Sequence, residues 1–296
     1  MFSFPDRLAE AVRRRGPLCV GIDPRWESLP ISIRQAFAAG AEQQDRAKAF
    51  EAFSLQVLDL VEPFCAVIKP QAAFFEQLGL PGFAALDRIL KSARERGFVT
   101  ILDAKRGDIA STAAAYAEAA FSDDVWNADA LTVNPYLGAD AVEPFVSEAT
   151  KRNRGLFVLV RTSNPGGGLF QNLVADGLPV YRHVGKAVAE WNAPTTGECG
   201  LGMIGAVVGA THPKELAELR DAMPQVWFLV PGFGAQGGTA DDVKPGFLSS
   251  GLGAIVNSSR GVTFPFHPDE RDWQSKIIAA AGTAQRQLVA ASAGNH

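Results

Sequence analysis

Eight short apolar runs recur along the chain, separated by amphipathic stretches, and this alternation restricts the available folds more than any other feature. The runs are LCVGID (18–23), AVIKPQ (66–71), FVTILDAK (98–105), ALTVNP (130–135), LFVLVRTS (156–163), GAVVGAT (205–211), VWFLVPG (226–232) and GAIVNSS (253–259). They are nearly continuous in Val, Ile, Leu and Phe, as expected for strands covered on both faces. Helical segments lie between them, such as AALDRILKSARERG ending at Gly97 and HPKELAELRDAM stopped by Pro224. Eight strands, seven intervening segments and a helical tail predict an α/β fold, a (β/α)8 TIM barrel. A doubly wound sheet is the alternative, but it usually has fewer strands.

No Pro-, Gly- or Ser-rich linker divides the chain, so residues 1–296 read as a single barrel domain. The length of 296 suits one barrel, which typically takes about 250 residues. The tail from about Thr283, rich in Ala and small polar residues, is expected to end as a fraying helix with no chemical role. Two connections, 24–48 and 164–200, are longer than a barrel needs and follow the carboxyl ends of strands, where barrel enzymes place lids and ligand contacts.

Composition narrows the function classes. A hydrophobic fraction of 47% supports a large core, and a charged fraction of 20% argues against disorder. The formal charge of -4 gives no basic footprint, so neither nucleic acid nor an anionic membrane is an expected partner. No run of 18 apolar residues exists to span a bilayer, and the N-terminal segment lacks the apolar stretch of a signal peptide. Cys19, Cys65 and Cys199 are odd in number and far apart, which suits free thiols in a reducing cytoplasm. No His/Cys/carboxylate cluster has metal-ligand spacing, and no Gly-x-Ser-x-Gly elbow is present. His183 reads as a surface or packing residue, and His212 and His267 as capping residues.

In a barrel, polar residues at the last position of a strand point toward one common face. Here those ends hold Asp23, Lys69, Asp103, Lys105, Asn134, Ser163 and Arg260. Any one of them could be a solvated rim residue, but seven converging on one mouth call for another explanation. The sharpest segment is ILDAKRGDIAST (101–112). Asp103 and Lys105 are two apart on a strand, so both side chains leave the same face. Asp108 could cap the following helix, and Thr112 could lie in its first turns. VPGFGAQGG (230–238) follows the seventh strand and NSSRG (257–261) ends the eighth, the usual phosphate site of this barrel. Gly232, Gly234 and Gly261 would permit close backbone approach, and Arg260 can grip two oxygens in a fork.

The Asp-x-Lys-x-x-Asp-Ile-x-x-Thr pattern resembles the signature of the orotidine 5′-monophosphate decarboxylase family. The likeness extends through LCVGIDPR, VIKPQAAFFE, LDAKRGDI, TVNPYLG, TSNPGG, VPGFGAQGG and NSSRG, with a spacing similar to the family's longer subgroup. The resemblance implies decarboxylation of orotidine 5′-monophosphate to uridine 5′-monophosphate and CO2, the last step of de novo synthesis of that nucleotide. It implies no cofactor, no metal and a homodimer with shared sites. It assigns a charged tetrad to Lys69, Asp103, Lys105 and Asp108, with Asp108 and Thr112 supplied across the dimer interface. Asp23 would bind ribose hydroxyls, Ser163 the pyrimidine ring, and Gln236 would close over the phosphate. The Gly166–Gly168 run would supply mobility; for Asn134 a structural hydrogen bond serves as well as any chemical role.

Such chemistry explains the residue types. Loss of CO2 from C6 leaves a vinyl carbanion, which an ammonium held against C6 can stabilise and then protonate. Lys105 is the expected donor, kept protonated by Asp103 and Asp108. Two rivals remain open on sequence alone: a magnesium-dependent sugar-phosphate decarboxylase or synthase of the same superfamily, which carries an acidic residue at the Lys69 position, and a silent phosphate-ligand binding protein.

Overall fold

Strands of continuous Val, Ile and Leu must bury both faces, and a closed ring sheathed by helices does so. The computed structural model describes residues 2–37 and 42–293, and in it the eight runs form such a ring. The barrel strands are β1 (Leu18–Ile22), β2 (Val67–Pro70), β3 (Val99–Arg106), β4 (Ala130–Val133), β5 (Gly155–Arg161), β6 (Ile204–Val208), β7 (Phe228–Val230) and β8 (Ala254–Ser258). Neighbouring strands pair in parallel, and β1 closes the ring by pairing Leu18 with Val256 of β8. The expected (β/α)8 barrel is therefore present, and one continuous hydrophobic core fills the space between strands and helices.

The end of the barrel where strands begin is sealed by helix Phe4–Arg15. Phe4 is buried so tightly beneath β5 that a Cβ on Gly155 would stand 2.1 Å from its ring. Asp129, buried just ahead of β4, accepts hydrogen bonds from Arg7 at 2.9 Å and Arg154 at 3.1 Å through one oxygen. Its other oxygen accepts from the Thr100 N–H and hydroxyl, both at 3.0 Å. Two guanidiniums and two short donors thus satisfy a carboxylate that burial alone would disfavour. This bolt between the first helix and the strand ends left no signal in the apolar pattern.

The long connections are built rather than loose. Residues 24–37 contain a 3-10 turn (Trp26–Ser28) and a short helix (Ile31–Ala36), while residues 38–41 of the 24–48 connection lie outside the described residues. After β5, the Gly166–Gly168 run expected to supply mobility is folded into helical turns (Pro165–Gly167 and Gly168–Gln171). A two-stranded hairpin, Val174–Ala175 with Leu178–Pro179, follows and is held by His183, whose Nε2 lies 2.7 Å from the Ala175 carbonyl. Helix Val180–Asn192 then leads back to the barrel.

The C-terminal segment departs from expectation. Helix Trp273–Ala293 continues through the stretch expected to fray, with Ala284, Leu288 and Ala291 buried along it. It packs against helix Gln43–Val61 and β1, and Gln285 donates to the Arg15 carbonyl at 3.0 Å. Alanine is a strong helix former whose small face lets neighbouring backbones approach, so an Ala-rich tail can dock as well as fray. Residues 294–296 lie outside the described residues. Leu288→Ala is expected to lower stability by about 2–5 kcal/mol in urea unfolding. A frayed end would instead show a loss within about 0.5 kcal/mol.

Candidate active site

The carboxyl ends of the strands surround a cavity of about 460 Å³. Asp23, Lys69, Asp103, Lys105, Ser163, Gln236, Gly232 and Arg260 all contribute to its wall. Six strand ends spread from residue 23 to residue 260 are brought together by closure of the ring alone.

At its centre one carboxylate holds two ammoniums. Lys69, at the end of β2, donates to Asp103 Oδ2 at 2.5 Å, and Lys105 donates to Asp103 Oδ1 at 2.6 Å. Lys69 and Asp103 are almost completely buried, whereas the Lys105 side chain is 45% exposed to the cavity. Burial by itself would raise the Asp103 pKa, but Lys69 and then Lys105 overcome it and hold the carboxyl well below the usual range. For Lys69, burial pulls downward, and Asp103 followed by Asp23 more than offsets it, leaving the ammonium firmly protonated. Beneath this network Cys19 is fully buried, and burial pushes its thiol up to about 12, so it is an inert packing group.

The backbone of β3 is irregular where the chemistry-bearing residues lie. Its pairing with β4 steps from Leu102 opposite Leu131 to Arg106 opposite Val133, so three residues of β3 face Thr132 alone. Lys105 has φ of +48°, in the left-handed region that costs a non-glycine residue about 1–3 kcal/mol. Alternation along a regular strand would put Asp103 and Lys105 on one face. They do meet, but through a bulge and a left-handed residue rather than through a two-residue repeat.

The other side of the cavity is built from the ends of β5, β7 and β8. Ser163 donates to Gln236 Oε1 at 3.0 Å, joining the loop after β5 to the loop after β7. Gly232 stands beneath this bridge with φ of +102°, a conformation suited to glycine, and a Cβ there would lie 3.4 Å from that of Ser163. Gln171, in the long connection, accepts from the Thr162 N–H at 3.1 Å and from Arg161 at 3.2 Å, and donates to the Thr162 hydroxyl at 2.8 Å. The connection thereby fixes the residues immediately before Ser163. Asp23 lines the wall opposite, with Oδ1 buried and unpartnered among the described residues.

Not every expected residue reaches this cavity. Gly234 and Gly261 line an adjoining cleft against helix Trp273–Ala293, and the Gly234 N–H is bonded to the Gly238 carbonyl at 2.8 Å. Asn134 is exposed, and its side chain accepts from the Tyr136 N–H at 3.1 Å, a turn-forming role. Asp108 and Thr112 are absent from the cavity wall of their own chain. Asp108 does not cap the helix Ala110–Phe121; it accepts from the Ile109 N–H at 2.8 Å. His212 occupies an N-cap position but makes no capping bond, pairing instead with Glu215 at 3.8 Å. Residues that strand-end reasoning passed over also line the wall: Arg25, Gln71, Thr132 and Asn257. Arg25 and Gln71 lie beyond the last strand positions, and Thr132 and Asn257 sit within apolar runs, where a polar residue could have been noticed.

The ion network has a measurable stability signature. Asp103→Asn leaves Lys69 buried without its counter-charge, and a loss of about 3–5 kcal/mol is expected in urea unfolding at pH 7. Because the folded-state pKa of Asp103 is depressed, its contribution is complete above the unfolded carboxylate pKa and is lost as pH falls below it. The stability gap between wild type and Asp103→Asn should therefore stay level from pH 7 to 5 and shrink below about pH 4.

The chain is 44% identical to an orotidine 5′-phosphate decarboxylase of Rhodopirellula baltica over 97% of this chain and 99% of that protein. It is 37% identical to one from Clostridium kluyveri over 90% of this chain and 89% of that protein. Among solved structures it resembles Leishmania donovani OMP decarboxylase, with a TM-score of 0.79, 33% identity and 98% of each chain covered. A sequence profile of the orotidine 5′-phosphate decarboxylase / HUMPS family matches residues 16–270. The chain belongs to the orotidine 5′-phosphate decarboxylase / HUMPS family.

Proposed function

We propose that this protein converts orotidine 5′-monophosphate to uridine 5′-monophosphate and CO2 without a metal or other cofactor. The observation that carries the reading is the buried Lys69–Asp103–Lys105 network at the wall of the cavity, in a chain of this family. The pyrimidine lies near Ser163, with C6 against the Lys105 ammonium. The bond from C6 to the carboxylate breaks, its electron pair stays on C6, and CO2 departs. Lys105 stabilises that charge and passes its Nζ proton to C6, then regains a proton from solvent. Asp103 is held ionised beside the departing carboxylate, and Lys69 balances it and faces the ribose.

Asp23, a partly exposed carboxylate on the cavity wall, accepts from a ribose hydroxyl. Arg260 binds the 5′-phosphate, and the Ser163–Gln236 bond lets the phosphate and pyrimidine ends of the site close together. Phosphate binding energy can then be used to assemble the charged centre.

The same reading makes the working unit a homodimer, in which Asp108 and Thr112 complete the partner's site. Support comes from the edge that carries them. Ile109, Tyr136, Leu137 and Phe170 are large apolar side chains at least half exposed, and the Tyr136 and Phe170 rings lie 6.3 Å apart. Gly107 abuts the Asn134 carbonyl, which brings the 107–109 segment alongside the Tyr136 turn. An apolar edge of this kind suits a two-fold contact. A cytoplasmic location is part of the reading, supported by three unbridged cysteines. Among the described residues no helix is long and apolar enough to cross a membrane.

Purified protein should consume orotidine 5′-monophosphate, followed by absorbance, with a chelator present and nothing added. Dependence on magnesium would instead favour the sugar-phosphate chemistry of related barrels. Lys105→Ala should lose turnover by at least about 1,000-fold while remaining folded. Robust activity in that variant would remove Lys105 as proton donor. Mixing Asp108→Ala with Lys69→Ala under conditions of subunit exchange should restore up to about a quarter of wild-type activity, the share of intact composite sites in a randomly paired population. No recovery after demonstrated exchange would place each site within one chain.

A further inference from the structure

We infer that Thr132 is a positioning residue for this reaction, its hydroxyl fixing both the Asp103 carboxylate and the left-handed backbone of Lys105. The inference rests on the function proposed above. Thr132 lies on β4, is 1% exposed and borders the cavity. Its Oγ1 accepts from the Ala104 N–H at 3.1 Å and the Lys105 N–H at 2.9 Å. The same hydroxyl donates to Asp103 Oδ1 at 3.0 Å.

A hydroxyl offers one proton and two lone pairs. The two amides occupy both lone pairs, so the proton is directed to the carboxylate. This side chain therefore has its full hydrogen-bonding capacity used on three consecutive residues of β3. The reason is visible in the register: Asp103, Ala104 and Lys105 face one residue of β4, so two β3 amides lack regular ladder partners. The hydroxyl replaces the missing carbonyls. A valine at this position has nothing to offer there.

Lys105 can hold φ of +48° because its amide is tied down, and that conformation aims its side chain back to Asp103 Oδ1. Asp103 is thereby fixed from three directions: Lys69 on Oδ2, and Lys105 with Thr132 on Oδ1. When the Lys105 ammonium turns to C6 and gives up its proton, Oδ1 keeps the Thr132 donor. The carboxylate then has no need to rotate or recruit water during the step.

The test compares Thr132→Val, which keeps shape and loses the hydroxyl, with Thr132→Ser, which keeps the hydroxyl and loses the methyl. Thr132→Val is expected to lower kcat by about 10- to 100-fold, the scale of a small misplacement of a catalytic group. Its KM and its Kd for uridine 5′-monophosphate should stay within about threefold of wild type, because phosphate and ribose contacts are untouched. Thr132→Ser should recover kcat to within about threefold. Wild-type kcat in Thr132→Val overturns the inference. So does a parallel loss of kcat and nucleotide affinity, the mark of a general structural role, or a serine variant as impaired as valine. If Thr132→Val does not fold, Thr132→Ala removes the hydroxyl without adding bulk, and normal turnover there overturns the inference. A wild-type protein that neither turns over the substrate nor binds the product removes the proposed function and this inference with it. Normal wild-type turnover with an unimpaired valine variant removes this inference alone.

Discussion

The Asp103 carboxylate is the interaction around which the rest of this molecule is arranged. It is almost entirely removed from water and bonded to one ammonium on each oxygen. A buried ion pair tolerates little geometric error, because attraction must offset the loss of hydration on every partner. Asp103 and Lys105 come from β3 and Lys69 from β2, so their separations are set by adjacent strands of one closed sheet. A flexible loop could supply the same groups but could not hold them at such distances without solvent entering.

Closure of the barrel carries that demand outward. The sealed end with Phe4 and the Asp129 bolt, and the docked helix Trp273–Ala293, fix the far ends of the strands. At the open end several departures from backbone regularity fall at the cavity wall: a bulge in β3, a left-handed Lys105 and a left-handed Gly232. Strain held at a cavity wall by a regular scaffold is a common design of enzymes. Gln171 adds a second restraint by tying the long connection to the residues that present Ser163.

Much of the site was readable because chemistry imposes unusual residues. Charges at the ends of apolar strands stand out, and Asp23, Lys69, Asp103, Lys105, Ser163 and Arg260 do reach one cavity wall. Asn134 met the same criterion and instead folds a turn, because its strand ends one residue earlier and its side chain serves a neighbouring amide. Gly234 marked a glycine-rich loop correctly, yet its amide is consumed within that loop. The Ala-rich tail gave no apolar stripe strong enough to distinguish docking from fraying, since alanine suits both.

By itself the sequence determined the number and order of the strands, their burial on both faces, and the charged residue types available at their ends. Those properties are local: they depend on hydrophobic periodicity and on what each side chain can ionise or donate. Tertiary structure decided which ends meet, that Thr132 replaces ladder partners for two amides of β3, and that Asp129 locks the opposite end. It also decided that Asp108 and Thr112 stand outside the cavity wall of their own chain. The reason is physical. Register shifts, hydrogen-bond partners and burial of charge depend on residues distant in sequence, and their energies exist only once the ring has closed.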